Sequence, residues 1–218
     1  MNMKAVIIGA TGATGKELTQ QLLSDPQYTE VHILVRRTIS LEHPKLKVHQ
    51  INFDDFNSWK NVVDGDVAFS CLGTTLKDAG SKEQQKKVDF EYQLNFAKAA
   101  KENHVEHFVL VSAHMANPKS KLFYSRIKGE LEESIKNLNF NTLSIFRPGL
   151  LDRQENSRPS EVSAVRAMKF FNKIGLFKNQ KPLPTPVLAK ALIQSAQRSE
   201  PGIKVYRLSE IFDLADQK

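Results

Sequence analysis

The sequence predicts an α/β protein built on a doubly wound parallel sheet, and three observations carry that prediction. Short apolar runs punctuate the chain, most of them are continuous rather than alternating, and segments with helical spacing lie between them. A strand covered by helices on both faces has no solvent side, so it reads as an unbroken Val, Ile, Leu or Phe run. Such runs in β-α-β-α order are the pattern of a parallel sheet wound on both faces.

The strand-like runs are Ala5 to Gly9, Val31 to Val35, Leu46 to Ile51, Val67 to Cys71, His107 to Ser112 and Thr142 to Phe146. Leu18, Leu22 and Leu23 mark a helix after the first run. Val88, Tyr92, Phe96 and Ala99, spaced by three or four, predict a helix from Lys82 to Asn103, and Ile127, Leu131 and Ile135 predict one from Leu122 to Asn137. Past Gly149 the pattern loosens. Thr185-Pro186 reads as an N-cap with proline at the first helical position, and that helix is expected to end near Arg198, before Pro201-Gly202. Residues 1–218 are expected to form a single domain, with 150–218 contributing a small lobe on the substrate side.

Composition narrows the classes of function. A chain of 218 residues can bury one sizeable core, and 40% hydrophobic with 25% charged residues fits a soluble globular protein. No apolar run approaches the roughly 20 residues that span a bilayer. The start, Met1-Asn2-Met3-Lys4, leads straight into the first strand without a small-residue cleavage site, so no signal peptide is expected. The single cysteine, Cys71, excludes an intramolecular disulfide framework and a zinc site of several thiolates, and a reducing cytoplasm is the expected compartment. Lys and Arg outnumber Asp and Glu by 31 to 24, giving +7, which favours anionic partners without choosing among phosphorylated cofactors, nucleic acid and acidic lipid.

The first strand ends in Gly9-Ala10-Thr11-Gly12-Ala13-Thr14-Gly15, and a helical pattern begins at once. Glycines at intervals of three on a strand-to-helix turn let a pyrophosphate approach backbone amides and the positive end of the helix dipole, and the last lets the elements pack closely. This predicts a Rossmann-type dinucleotide site. At the end of the second strand, where an acidic residue would bind the ribose 2′-hydroxyl of NAD, stand Arg36 and Arg37. Guanidinium groups there favour a 2′-phosphate, so NADP(H) is expected over NAD(H). Asp54, after the third strand, is a candidate adenine contact.

Ser112 follows the fifth strand, and twelve residues later comes Tyr124-Ser125-Arg126-Ile127-Lys128 inside a predicted helix. The i, i+4 spacing puts Tyr124 and Lys128 on one face. An ordinary tyrosine, with a pKa near ~10, is a poor proton donor at neutral pH, and an adjacent ammonium stabilises its phenolate. A serine hydroxyl can hydrogen-bond a carbonyl or alcohol, so Ser112, Tyr124 and Lys128 are a candidate proton-transfer unit beside a hydride carrier.

With these motifs the chain resembles the short-chain dehydrogenase/reductase superfamily in its atypical or extended branch. Within that branch, Cys71-Leu72-Gly73-Thr74-Thr75, Phe123-Tyr124 to Lys128-Gly129-Glu130, and Phe146-Arg147-Pro148-Gly149 followed by Asp152-Arg153-Gln154-Glu155 resemble the Tat-interacting-protein oxidoreductase family. The resemblance implies that Gly9, Thr11, Gly12, Ala13 and Thr14 surround the pyrophosphate. It implies that Leu72, Gly73 and Thr74 pass near the ribose, that Lys128 binds the nicotinamide ribose, and that Pro148-Gly149 lie beside the nicotinamide. One departure stands out: Val88-Asp89 occupies the helix position where many relatives carry a relay asparagine.

Other residues carry weaker signals. His114 could line a substrate pocket, and Arg153 and Arg158 suggest an anionic substrate. Cys71 reads as a small buried residue, and His104 and His107 as surface or structural groups, with no metal site expected. Val162 to Lys181 holds Arg166, Lys169, Lys173, Lys178 and Lys181 without an acidic residue, an amphipathic helix with a basic face that could also dock an acidic partner or a membrane surface. The expected function is an NADP(H)-dependent oxidoreductase with a small-molecule carbonyl or alcohol substrate. The alternative is a non-catalytic NADP(H) sensor or scaffold with a protein partner. Nucleic-acid binding is not expected, because no stacking platform or DNA-binding motif accompanies the charge. Monomer and dimer are left open.

Overall fold

The computed structural model describes residues 2–152, 182–198 and 200–217. Its centre is a seven-stranded sheet: β1 (Met3–Ile8), β2 (Tyr28–Val35), β3 (Leu46–Gln50), β4 (Val67–Ser70), β5 (His107–Val111), β6 (Thr142–Arg147) and, after the short pair β7 (Leu151–Asp152) and β8 (Leu183–Pro184), β9 (Gly202–Arg207). The order across the sheet is β3-β2-β1-β4-β5-β6-β9 and every pairing is parallel. The doubly wound parallel sheet expected from the sequence is therefore the fold. Its switch point lies at β1, which has β2 on one side and β4 on the other. That is where open α/β sheets part their loops and bind ligands.

The apolar runs of the inner strands are continuous because each of these strands is buried twice, whereas the edge strands β3 and β9 are largely exposed. Ala5 and Ile7 of β1 face one core with Leu18 and Leu22 of α1 (Ala13–Ser24). Val6 and Ile8 face the other, with Trp59 of the short helix α2 (Phe56–Trp59). A single helical turn, α3 (Leu76–Ala79), precedes α4 (Lys82–Lys86), a π-helical turn at Lys87–Glu91, and α5 (Tyr92–Glu102). Phe96 of α5 and Leu131 and Ile135 of α6 (Phe123–Lys136) complete the second core. The first core is closed by Leu188 and Leu192 of α7 (Thr185–Arg198) and by Ile211 and Leu214 of α8 (Ser209–Asp216).

Two elements differ from the sequence expectation. The helix expected over Lys82 to Asn103 is interrupted by the π turn, where the backbone hydrogen bonds slip by one residue. The C-terminal region adds a strand, β9, to the sheet itself by pairing with β6 from Thr142↔Gly202 to Arg147↔Arg207. Arg153 and Arg158, and the basic stretch 162–181, lie outside the described residues.

Candidate functional site

The glycine turn owes its shape to contacts that admit no side chain. Gly9 has φ +79°, and a Cβ there would lie 2.5 Å from the carbonyl carbon of Cys71, at the end of β4. A Cβ on Gly15 would lie 2.1 Å from the Gly9 carbonyl oxygen, so the turn folds against the first turn of α1. Gly12 is the N-cap of α1 and brings no side-chain oxygen to the first-turn amides, and no acidic residue occupies that turn. Backbone N–H groups at a helix N-terminus suit an anion. The cradle therefore fits the pyrophosphate of a dinucleotide.

Along the carboxyl edge of the sheet the loops enclose a cavity of about 880 Å³. Gly12, Ala13 and Thr14 line it from the glycine turn, Leu72, Gly73 and Thr74 from the loop after β4, and Pro148 and Gly149 from the loop after β6. Ser112, His114, Tyr124 and Lys128 line the same cavity. Residues far apart in sequence thus converge because four parallel strands end on one edge. Thr11 is exposed and does not line the cavity; Gly9 and Gly15 shape it from behind.

A second depression of about 640 Å³ lies at the ends of β2 and β3, lined by Arg36, Gln50, Ile51, Asn52, Phe53, Asp54 and Tyr92. Arg36 is brought to it, whereas Arg37 is exposed beside it and is not part of the lining. Asp54 Oδ1 accepts from the Tyr92 hydroxyl at 2.8 Å and pairs with Lys87 Nζ at 2.7 Å. Those hydrogen bonds hold its carboxyl below the usual range. The carboxylate is thus already engaged by Lys87 of the π-helical turn and Tyr92 of α5.

Tyr124 is 41% exposed at the cavity mouth, whereas Lys128, one turn along α6, is 2% exposed. Lys128 Nζ lies 3.6 Å from Oδ1 of the fully buried Asp89. Ser112 is buried too, and its hydroxyl donates to Glu132 Oε1 at 2.5 Å. Glu132 in turn accepts from Arg147 through both carboxylate oxygens, at 2.9 Å from Arg147 Nε and through Nη2. A serine has one proton to give. With that proton directed to Glu132, Ser112 as it stands offers the cavity an acceptor and not a donor. Sequence reasoning did not single out Glu132 or Arg147 for this role, although Glu132 continues the i, i+4 series of Tyr124 and Lys128.

The loop after β5 is fastened to α6. The Asn117 N–H donates to the Ser125 carbonyl at 2.9 Å, and a Cβ on Gly129 would lie 2.2 Å from Pro118 N. Cys71 is half-buried and lines the cavity, where the sequence predicts a buried residue, and desolvation pushes its thiol up to about 12. His107 is buried with Nε2 at 3.0 Å from Ser144 Oγ, and burial lowers it to about 4, in keeping with a structural role.

The sheet order, the glycine turn and the cavity along the carboxyl edge define a Rossmann-type nucleotide-binding protein. Residues 9–168 match the family described as NAD(P)H-binding, and the chain belongs to that family. It is 36% identical over 179 residues to Protein HTATIP2 of Rattus norvegicus, covering 79% of this chain and 72% of the relative. It is 33% identical over 207 residues to Protein FMP52, mitochondrial, of Candida albicans, covering 92% of this chain and 90% of the relative. Among solved structures, the Bordetella bronchiseptica enzyme WbmH in complex with NAD+ aligns with a TM-score of 0.71 at 16% identity, covering 98% of this chain and 80% of that one. UDP-glucose 4-epimerase of Thermotoga maritima aligns with a TM-score of 0.71 at 11% identity, covering 99% of this chain and 84% of that one. At such identities the likeness to these structures is one of fold.

The comparison corrects one expectation. A cytoplasmic location was expected from the lone cysteine, yet the fungal relatives are named as mitochondrial proteins. A single thiol argues only against an oxidising compartment, and the cytoplasm is not alone in being reducing. Among the described residues no helix is long and apolar enough to cross a membrane.

Proposed function

We propose that this protein is an NADP(H)-dependent oxidoreductase that interconverts a carbonyl and an alcohol. The observation that carries the reading is the convergence of Tyr124, Lys128 and Ser112 with the glycine turn on one cavity. The bound nicotinamide coenzyme would supply or accept the hydride. Gly12, Ala13 and Thr14 would hold the diphosphate, Gly73 and Thr74 the ribose, and Pro148 and Gly149 would bring backbone to the nicotinamide. Gly9 and Gly15 would keep the turn open behind them. Arg36 would bind the 2′-phosphate, with Arg37 in the outer field. Residues 150–218 would complete the substrate side of the single domain.

In this reading Tyr124 transfers the proton at the substrate oxygen. Lys128 holds the ribose and supports the phenolate. Ser112 orients the substrate oxygen, its rotatable hydroxyl turning from Glu132 to donate to that oxygen. His114 is a candidate contact on the open side of the cavity.

The test is NADPH oxidation against a panel of aldehydes and ketones, with NADPH binding measured in parallel by calorimetry. Tyr124→Phe is expected to abolish turnover and leave NADPH affinity within a few-fold of the parent. Undiminished turnover in that variant would remove the assignment of Tyr124. Tight NADPH binding without turnover on any carbonyl would favour the sensor reading instead.

A further inference from the structure

Asp89 is a fully buried carboxylate behind the cavity wall, in contact with Lys128 and Thr74, which line it. It sits in the π-helical turn between α4 and α5, where the widened turn brings it inward, and it is 0% exposed. Its Oδ1 accepts from the Thr74 N–H at 3.3 Å and lies 3.6 Å from Lys128 Nζ. Among the described residues its buried Oδ2 has no hydrogen-bond partner. The loop after β4 closes on the same group: a Cβ on Gly73 would lie 3.4 Å from Oδ1. One carboxylate therefore ties three pieces together, the π turn, the Gly73-Thr74 loop and the buried lysine of α6.

Such a placement costs free energy. A carboxylate left out of water with an unmet oxygen is unfavourable unless a partner charge compensates it. Burial raises the Asp89 carboxyl above the usual range, against the opposing pull of Lys128, the Thr74 amide and Gln85. The lysine is in the same position, since a 2%-exposed ammonium also needs a counter-charge. Among the described residues, the other titratable groups around Lys128 do not supply one. Cys71 after β4 is held neutral by burial, Tyr124 on α6 lies toward solvent, and Glu132 on α6 is taken by Arg147. Lys82 of α4 and His114 of the loop after β5 line the cavity and bring no negative charge.

We propose that Asp89 is a positioning residue: it is the internal counter-ion that keeps Lys128 charged and holds that ammonium against the Gly73-Thr74 loop. The role follows from the pairing of two buried groups and does not need catalysis. Its consequence for Tyr124 rests on the oxidoreductase reading above. In that reading Asp89 sets how strongly Lys128 acts on the tyrosine, because a carboxylate 3.6 Å from the ammonium offsets part of its field.

The experiment is a pH titration of the lysine side chains by NMR, through their ¹³Cε resonances, in the cofactor-free protein. The Lys128 signal is assigned by its loss in Lys128→Met. In Asp89→Asn the Lys128 signal is expected to titrate at least ~1 pH unit lower than in the parent, the size expected from losing an opposite charge at this range. An unchanged titration in folded Asp89→Asn overturns the proposal. If Asp89→Asn does not fold, the double variant with Lys128→Met decides. Recovery of a folded protein supports the pairing, because both buried charges are then gone. Failure of the double variant, with Lys128→Met alone folded, overturns it. Neither readout requires turnover, so the failure of this proposal and the failure of the enzymatic reading are separate results.

Discussion

Ser112 Oγ donates to Glu132 Oε1 at 2.5 Å, and Glu132, 1% exposed, is clasped on its other side by Arg147. The strand-end serine, the middle of α6 and the end of β6 are thus joined by one buried carboxylate. Removing it strands a guanidinium that keeps little solvent contact. Glu132→Ala is expected to lower unfolding free energy by about 3 kcal/mol, at the lower end of the range for breaking a buried pair because Arg147 is 17% exposed. Glu132→Gln, which keeps an acceptor for Ser112, is expected to cost less. Urea unfolding of the two variants measures both.

The glycine turn predicts its own sensitivity. In Gly15→Ala the new methyl would lie 2.1 Å from the Gly9 carbonyl oxygen, a contact with backbone that cannot rotate away. A loss of stability of about 2 kcal/mol is expected from overpacking of this kind. NADPH affinity is expected to fall about tenfold or more (~1.4 kcal/mol), as the amides move off their aim. Thermal unfolding and calorimetry read the two effects separately.

Coenzyme preference is expected to reside in Arg36 and not in Arg37, because Arg36 alone of the pair lines the depression with Asp54 and Tyr92. Arg36→Ala is expected to weaken NADPH binding by about 10- to 100-fold, equivalent to charge-assisted hydrogen bonds of ~1.5–3 kcal/mol, with NADH binding nearly unchanged. Arg37→Ala is expected to change either by less than about threefold. Equal effects of the two substitutions on both coenzymes would contradict this.

His107 supplies a pH prediction. Its value in the folded chain is about 4, below the 6.5 of an unfolded histidine, because burial disfavours the charged ring. The unfolded chain therefore binds the proton first. Stability is full above about pH 6.5 and is lost progressively as the pH falls toward 4, by about 3 kcal/mol from this group at most. The His107 ring resonance is expected to titrate near 4 by NMR, and an ordinary midpoint would show that the ring is solvated.

What could be read from the chain beforehand follows from what burial does to sequence. Five of the strands, β1, β2, β4, β5 and β6, are buried on both faces, so their runs are largely unbroken, and Gly9 to Gly15 and the Tyr124–Lys128 spacing are local in sequence. The strand Gly202–Arg207 escaped because it lies at the sheet edge, where Lys204 and Arg207 keep company with Val205 and no apolar run forms. The π turn escaped for another reason: hydrophobic spacing survives a one-residue slip in hydrogen bonding. Glu132 and Arg147 stand fifteen residues apart on a helix and a strand end, and only the folded arrangement makes them partners. The departure at Asp89 was visible as a residue type, but its burial against Lys128 was not.

The contact at Gly129 has a mechanical consequence. With Pro118 and Asn117 seated directly on its backbone, and Asn117 bonded to Ser125, the hinge that a helix and its preceding loop could have formed is absent. Ser112, through Glu132, and Tyr124 and Lys128 thereby sit on one braced unit, while Thr75, Leu76 and Leu150 line the same cavity from loops outside it.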